Sequence, residues 1–276
     1  MSLQEERFIS FFIALWKNHR QCFKGKTDTW TEKYEGEDGI LAVVQRTLIW
    51  NDCEAEKLFS RVGRMAGLKL KLQEYKTDRV GFDEWLWDEV KEIPFGGGNK
   101  GAHRDNRHRK HFPRALREYL ELTKEGQLAF YKDKSFSDLN RELHIFSFGA
   151  LTRFDLLQRL YTSKHHYVTS SPQRFYLTGG GVKEGLKKIY SNTKPTKALL
   201  TGLGQKLYDK IREKMNQENV AYEENLLYFS LEDVLCIYQK DRGDMISDDL
   251  LDGKITPEIF AHKYAEKYCI SKRVNC

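Results

Sequence analysis

Apolar residues recur along most of this chain at spacings of three and four, the pattern of one buried face on a helix. Leu3–Trp16 carries Phe8, Phe12, Leu15 and Trp16 on such a face. Ile40–Trp50 reads as a buried helix, and Asn51 or Asp52 is placed to cap another that reaches about Met65. Asp83–Ile93 is a short helix stopped by Pro94. Pro113 suits the first turn of a helix to about Tyr131, and Ser135 caps one to Phe146. A tight turn at Phe148-Gly149 then leads into Leu151–Tyr161. Tyr167–Leu177 is less regular and reads as extended, while Gly179-Gly180-Gly181 opens a helix through Tyr190. Lys197–Asn216, Glu223–Tyr238 and Pro257–Tyr268 are again periodic. Neither a strand alternation strong enough for a sheet nor a repeat of fixed period occurs. The expected fold is all-α, with a helical domain over residues 1–195 and a C-terminal helical extension over 196–276 packing on the same core.

Composition narrows the class. A chain of 276 residues can bury a substantial core, and only 5 prolines argue against long disordered linkers. The apolar stretch Phe8–Trp16 is too short to span a bilayer and follows acidic residues, so it reads as neither a signal peptide nor an anchor. Cys22, Cys53, Cys236, Cys269 and Cys276 are scattered, odd in number and without C-x-x-C spacing. That pattern favours reduced thiols and a cytoplasmic protein over a disulfide frame or a zinc site. His103, His108 and His111 lie among cationic neighbours, which disfavours a divalent metal, and no cofactor is expected.

Charge changes the picture more. The net charge is +6, and the segment Asn99–Arg117 alone holds seven Lys or Arg against one acid, Asp105. A patch of that density is the electrostatic footprint of a polyanion binder. It follows the run Gly96-Gly97-Gly98, whose bare backbone can approach a phosphate while Lys100, Arg104, Arg107, Arg109 and Lys110 neutralise it. The competing reading is a solvated surface loop. A second run, Gly179–Gly181 with Lys183 shortly after, leads into a helix and offers free N–H groups and a helix dipole to an anion. It lacks the G-x-x-x-x-G-K-[ST] pattern of a nucleotide-hydrolysing loop. Its competing reading is a turn needing positive φ at Gly180 and Gly181.

Leu139–Tyr161 places two amphipathic segments around Phe148-Gly149, like a helix-hairpin-helix element whose turn binds a DNA phosphate through Gly149 and Thr152. The usual G-x-G is reduced to its second glycine, and Arg153 stands where a small residue is usual. An ordinary packed helical hairpin fits as well. Asp155 follows, with Arg153 and Arg159 near in sequence. It is a candidate catalytic carboxylate that Arg153 would position, or a salt-bridge partner of Arg159 four residues on. Trp30, in a polar loop, and Phe148 are candidates to stack a flipped base, with core packing as the alternative for Trp30.

On FSFGALTRFDLLQRL and SPQRFYLTGGGVKEGL, within Phe146–Leu186, the sequence resembles the α-glutamyl/putrescinyl thymine pyrophosphorylase family, with a fainter echo at Trp30-Thr31. The resemblance implies a helical fold similar to helix-hairpin-helix DNA glycosylases, acting on hypermodified pyrimidines in phage DNA. Two reactions suit it. The first expectation is glycosylase excision of a flipped modified base, in phage DNA modification or in defence against phage. The second is transfer, in which an amine displaces diphosphate from a pyrophosphorylated hydroxymethyl pyrimidine. A nucleic-acid-binding module without chemistry is the third reading. Glycosylases of that class carry their catalytic Asp beyond the second helix, yet Tyr167–Phe175 holds no acid, so Asp155, or another acid such as Glu142, must substitute if excision is the chemistry.

Overall fold

A computed structural model describes residues 2–23, 30–49, 52–62, 64–95, 105–170, 172, 175–191, 195–240 and 245–270. Among these the helices run α1 (Leu3–Asn18), α2 (Gly36–Ile49), α3 (Asp52–Val62), α4 (Met65–Glu74), α5 (Arg79–Val90), α6 (Asp105–Leu122), α7 (Gln127–Tyr131), α8 (Phe136–Glu142) and α9 (Ala150–Thr162). They continue with α10 (Gly180–Tyr190), α11 (Lys197–Gln217), α12 (Glu224–Tyr238), α13 (Ser247–Asp252) and α14 (Pro257–Ala265). The fold is all-α, with no strand among the described residues. The chain divides into two compact units, Met1–Lys24 with Pro172–Asn275, and Gly25–Ser171.

The first unit is built on α1, which packs against α10, α11, α13 and α14. Its apolar side is wider than a single stripe: Phe8, Phe11, Phe12 and Leu15 are all fully buried. Phe8 meets Tyr238 edge-on at 5.0 Å and Phe11 meets Phe260 at 4.9 Å. Ser2 caps the helix, its hydroxyl accepting from the Glu5 amide. Glu5 is buried and accepts from Lys210 Nζ at 2.6 Å and the Tyr190 hydroxyl at 2.8 Å, which ties α1 to α10 and α11.

The second unit is built on α2, which touches α3, α4, α6, α7 and α9. The acids of its first turn bind neighbouring elements. Glu37 accepts from the Gln127 amide (3.0 Å) and Lys69 Nζ (2.9 Å), and Asp38 accepts from the Met65 amide (2.8 Å).

Four differences from the sequence pattern have local causes. Helix α4 escapes detection because Leu68, Leu70 and Leu72 alternate with polar residues, mimicking a strand; Leu70 is 61% exposed. Helix α6 begins within the basic segment, so Pro113 lies inside it rather than at its first turn. The segment reaching Tyr131 breaks at Gly126, where φ is +122°, a backbone state favouring glycine. Ser135 does cap α8, accepting from the Asp138 amide at 3.1 Å, but that helix ends at Glu142. The cysteine expectation also needs correction: Cys22 takes part in a disulfide and so does Cys53, while Cys236 stands outside any disulfide. The pattern of thiols therefore gives no argument for a reducing compartment. No helix among the described residues is long and apolar enough to cross a membrane.

Candidate nucleic-acid interface

The basic segment resolves into cations with different duties. Gly97, Gly98, Lys100 and Arg104, with the Arg107 side chain, lie outside the described residues. The others sit on α6. Arg117 is buried and forms two bonds to Asp83, at 2.8 and 3.1 Å, so it joins α6 to α5 inside the protein. Arg114 pairs with Glu118 (2.8 Å) and lies 4.0 Å above the Phe146 ring. Arg109 donates to the Lys91 carbonyl at 2.9 Å. Lys110 is exposed and has no ion-pair partner among the described residues. Sequence counting treats these cations alike, whereas the fold engages Arg114 and Arg117 with acids.

Beside this helix runs a groove of about 370 Å³, lined by Val80, Asp83, Glu84 and Trp87 of α5 and Lys110, Pro113 and Arg114 of α6. Its origin is legible in α5. Phe82, Leu86 and Val90 recur every four residues and are fully buried. Trp87, one residue past Leu86, is rotated about 100° from that face. It is half-buried at the groove. An aromatic ring beside cations suits a strand of nucleic acid or a small charged ligand.

The α8–α9 element is a helix–turn–helix of the anticipated order. Its left-handed residue is Ser147 (φ +62°), while Gly149 has φ −63° and caps α9. A Cβ at Gly149 would meet nothing within 4 Å, so the position has room for a ligand but no steric need for glycine. Thr152, in the first turn of α9, is buried. Arg153 donates to Asn140 Oδ1 (3.1 Å) and to the Phe148 carbonyl (2.6 Å), fastening α9 to α8 and the turn, and burial lowers its pKa. Asp155 is 1% exposed and accepts from Arg159 Nε at 3.1 Å, the i,i+4 pair anticipated as its structural role. Phe148 is buried and stacked on Tyr119, with ring centroids 6.2 Å apart. Trp30 is buried against Tyr34 and Phe59, yet its indole N–H finds no acceptor among the described residues.

The second glycine run belongs to the other unit. Gly179 caps α10 with extended backbone, and neither Gly180 nor Gly181 has positive φ, so that reading of the run is corrected. Gly180 is exposed with open space at its Cβ position. Gly181 and Gly185 instead meet α12: added Cβ atoms would run into Cys236 and the Leu235 carbonyl oxygen. Sequence reading missed this packing duty, because its cause lies fifty residues away in another helix. Thr178, just before the cap, donates to the buried Glu232 carboxylate. Lys183 is exposed. Among the described residues no cluster of His, Cys, Asp or Glu could hold a metal ion.

Fold and charge together define a helical protein with a basic helix beside an aromatic groove. A family model described as ADDT, amino acid:DNA transferase, matches residues 47–246. That is more than half of the chain, and the chain belongs to the amino acid:DNA transferase family. It carries a DNA-modifying transferase domain, with DNA as its substrate. Neither a curated protein nor a solved structure matches the chain. Excision of a base by a glycosylase, the first expectation, gains no support from this family.

Proposed function

We propose that the protein joins an amino-acid amine to an activated pyrimidine in DNA. The acceptor is a hydroxymethyl pyrimidine carrying diphosphate. The amine nitrogen bonds to the methylene carbon, and the carbon–oxygen bond to diphosphate breaks. Diphosphate leaves with the electron pair, and the nitrogen gives up a proton to solvent. The observation that carries this reading is the match to the amino acid:DNA transferase family over residues 47–246. The concentration of positive charge at the start of α6 supports it, since both a strand and a departing diphosphate are anions.

Within this reading Lys100, Arg104, Arg107 and Arg109, with the glycines at 96–98, grip the strand. Asp155 acts on α9 through its pair with Arg159, rather than on a sugar cation. Gly149 and Thr152 offer the α9 start to the backbone of DNA. Trp30 keeps an open indole donor for a pyrimidine edge.

The test is a product assay on DNA carrying thymine, hydroxymethyl pyrimidine or its pyrophosphorylated form, each supplied with a mixture of amino acids. Transfer gives released diphosphate and a heavier nucleoside on the pyrophosphorylated DNA alone. Abasic sites would establish excision instead.

A further inference from the structure

Counted over the described residues, the groove between α5 and α6 is close to electrically balanced. Of its two acids, Asp83 is held by Arg117 through two bonds, at 2.8 and 3.1 Å. Of its two cations, Arg114 is held by Glu118 at 2.8 Å. One acid and one cation are left, Glu84 on α5 and Lys110 on α6, both exposed and neither in an ion pair among the described residues. The Trp87 ring, Val80 and Pro113 line the same groove.

A groove that receives a polyanion strand gains from surplus positive charge. Among the described residues this one has a single charge of each sign left over, which matches a zwitterion. Its volume of about 370 Å³ is at the lower end of small-molecule pockets, enough for an amino acid. We propose that this groove takes the free amino-acid donor, with Lys110 at the carboxylate, Glu84 at the ammonium group and Trp87 along the side chain. The inference rests on the reading of the protein as an amino acid:DNA transferase and adds the place where the donor waits. Glu84 and Lys110 are binding residues here. Donor and strand then occupy neighbouring surfaces of α6, with Lys110 and Arg114 the members of the basic segment that line the groove.

Binding and kinetics together test it. Each of the twenty L-amino acids is titrated calorimetrically into the full chain and into Glu84→Gln and Lys110→Met, whose exposed positions leave the core intact. At least one amino acid binds the parent protein, and each variant weakens that binding at least tenfold. In the transfer assay the same variants raise the donor KM by the same factor and leave the KM for DNA within twofold. Unchanged donor binding in both variants overturns the proposal, as does a rise confined to the KM for DNA, which would make the groove a strand contact. No amino acid binding the parent protein overturns it too. Amino-acid binding lost in the variants, together with no transfer to any DNA, would uphold the groove while refuting the transferase reading.

Discussion

Two buried carboxylates show how much of this molecule's charge is internal. Glu5 sits at 1% exposure between Lys210 and Tyr190. Burial pushes its pKa up, but the bonds from Lys210 and Tyr190 outweigh burial and leave it below the ordinary 4.5. A carboxyl depressed in the folded state stabilises it fully above that ordinary value, and the contribution disappears as pH falls through the lowered native value. Glu5→Gln is therefore expected to destabilise the protein by about 3 kcal/mol at neutral pH, since it leaves a partly buried Lys210 facing a neutral group. The deficit should shrink in denaturant titrations below pH 4.5; a deficit constant with pH would remove the ion pair from the account. Asp155 stands similarly with Arg159. Asp155→Asn should lower stability by about 3 kcal/mol. A variant melting like the parent but inactive would return Asp155 to the reaction centre.

At the scale of elements, the glycines of α10 separate two jobs that look identical in sequence. Gly180 has open space at its Cβ position and negative φ, so Gly180→Ala should stabilise the helix by about 0.5 kcal/mol. Gly185→Ala drives a methyl into the Leu235 carbonyl and should cost about 1–3 kcal/mol. Thermal melts of the two variants moving in the same direction would contradict the close α10–α12 crossing. Helices α1, α9 and α12 were readable because their apolar residues hold a helical period, and α8 because Ser135 supplies a visible cap. Helix α4 was not, since its leucines alternate and Leu70 points to solvent. The turn before α9 was misread in detail because its left-handed residue is Ser147, a residue type that rarely adopts that backbone state.

For the whole molecule, the sequence located the positive charge but not its division of labour. Which cations bind acids and which remain depends on Asp83 and Glu118, and no spacing within the basic segment announces those partners. Affinity for DNA should fall steeply with salt, and replacing Arg107 and Arg109 together should flatten the slope by about two. A slope unmoved by that double replacement would take the basic segment out of the interface. What was legible of the candidate site was its chemistry, a concentration of cations with aromatic residues in the same chain. Its pairing with a charge-balanced groove emerged only when α5 and α6 were side by side.

The most direct measurement uses DNA bearing a pyrophosphorylated hydroxymethyl pyrimidine and an amino acid labelled with heavy nitrogen. After incubation with the protein, the DNA is digested to nucleosides and weighed by mass spectrometry. The account predicts a nucleoside that carries the heavy nitrogen, formed in equal amount with free diphosphate. Diphosphate or free base released without nitrogen entering the DNA would contradict it.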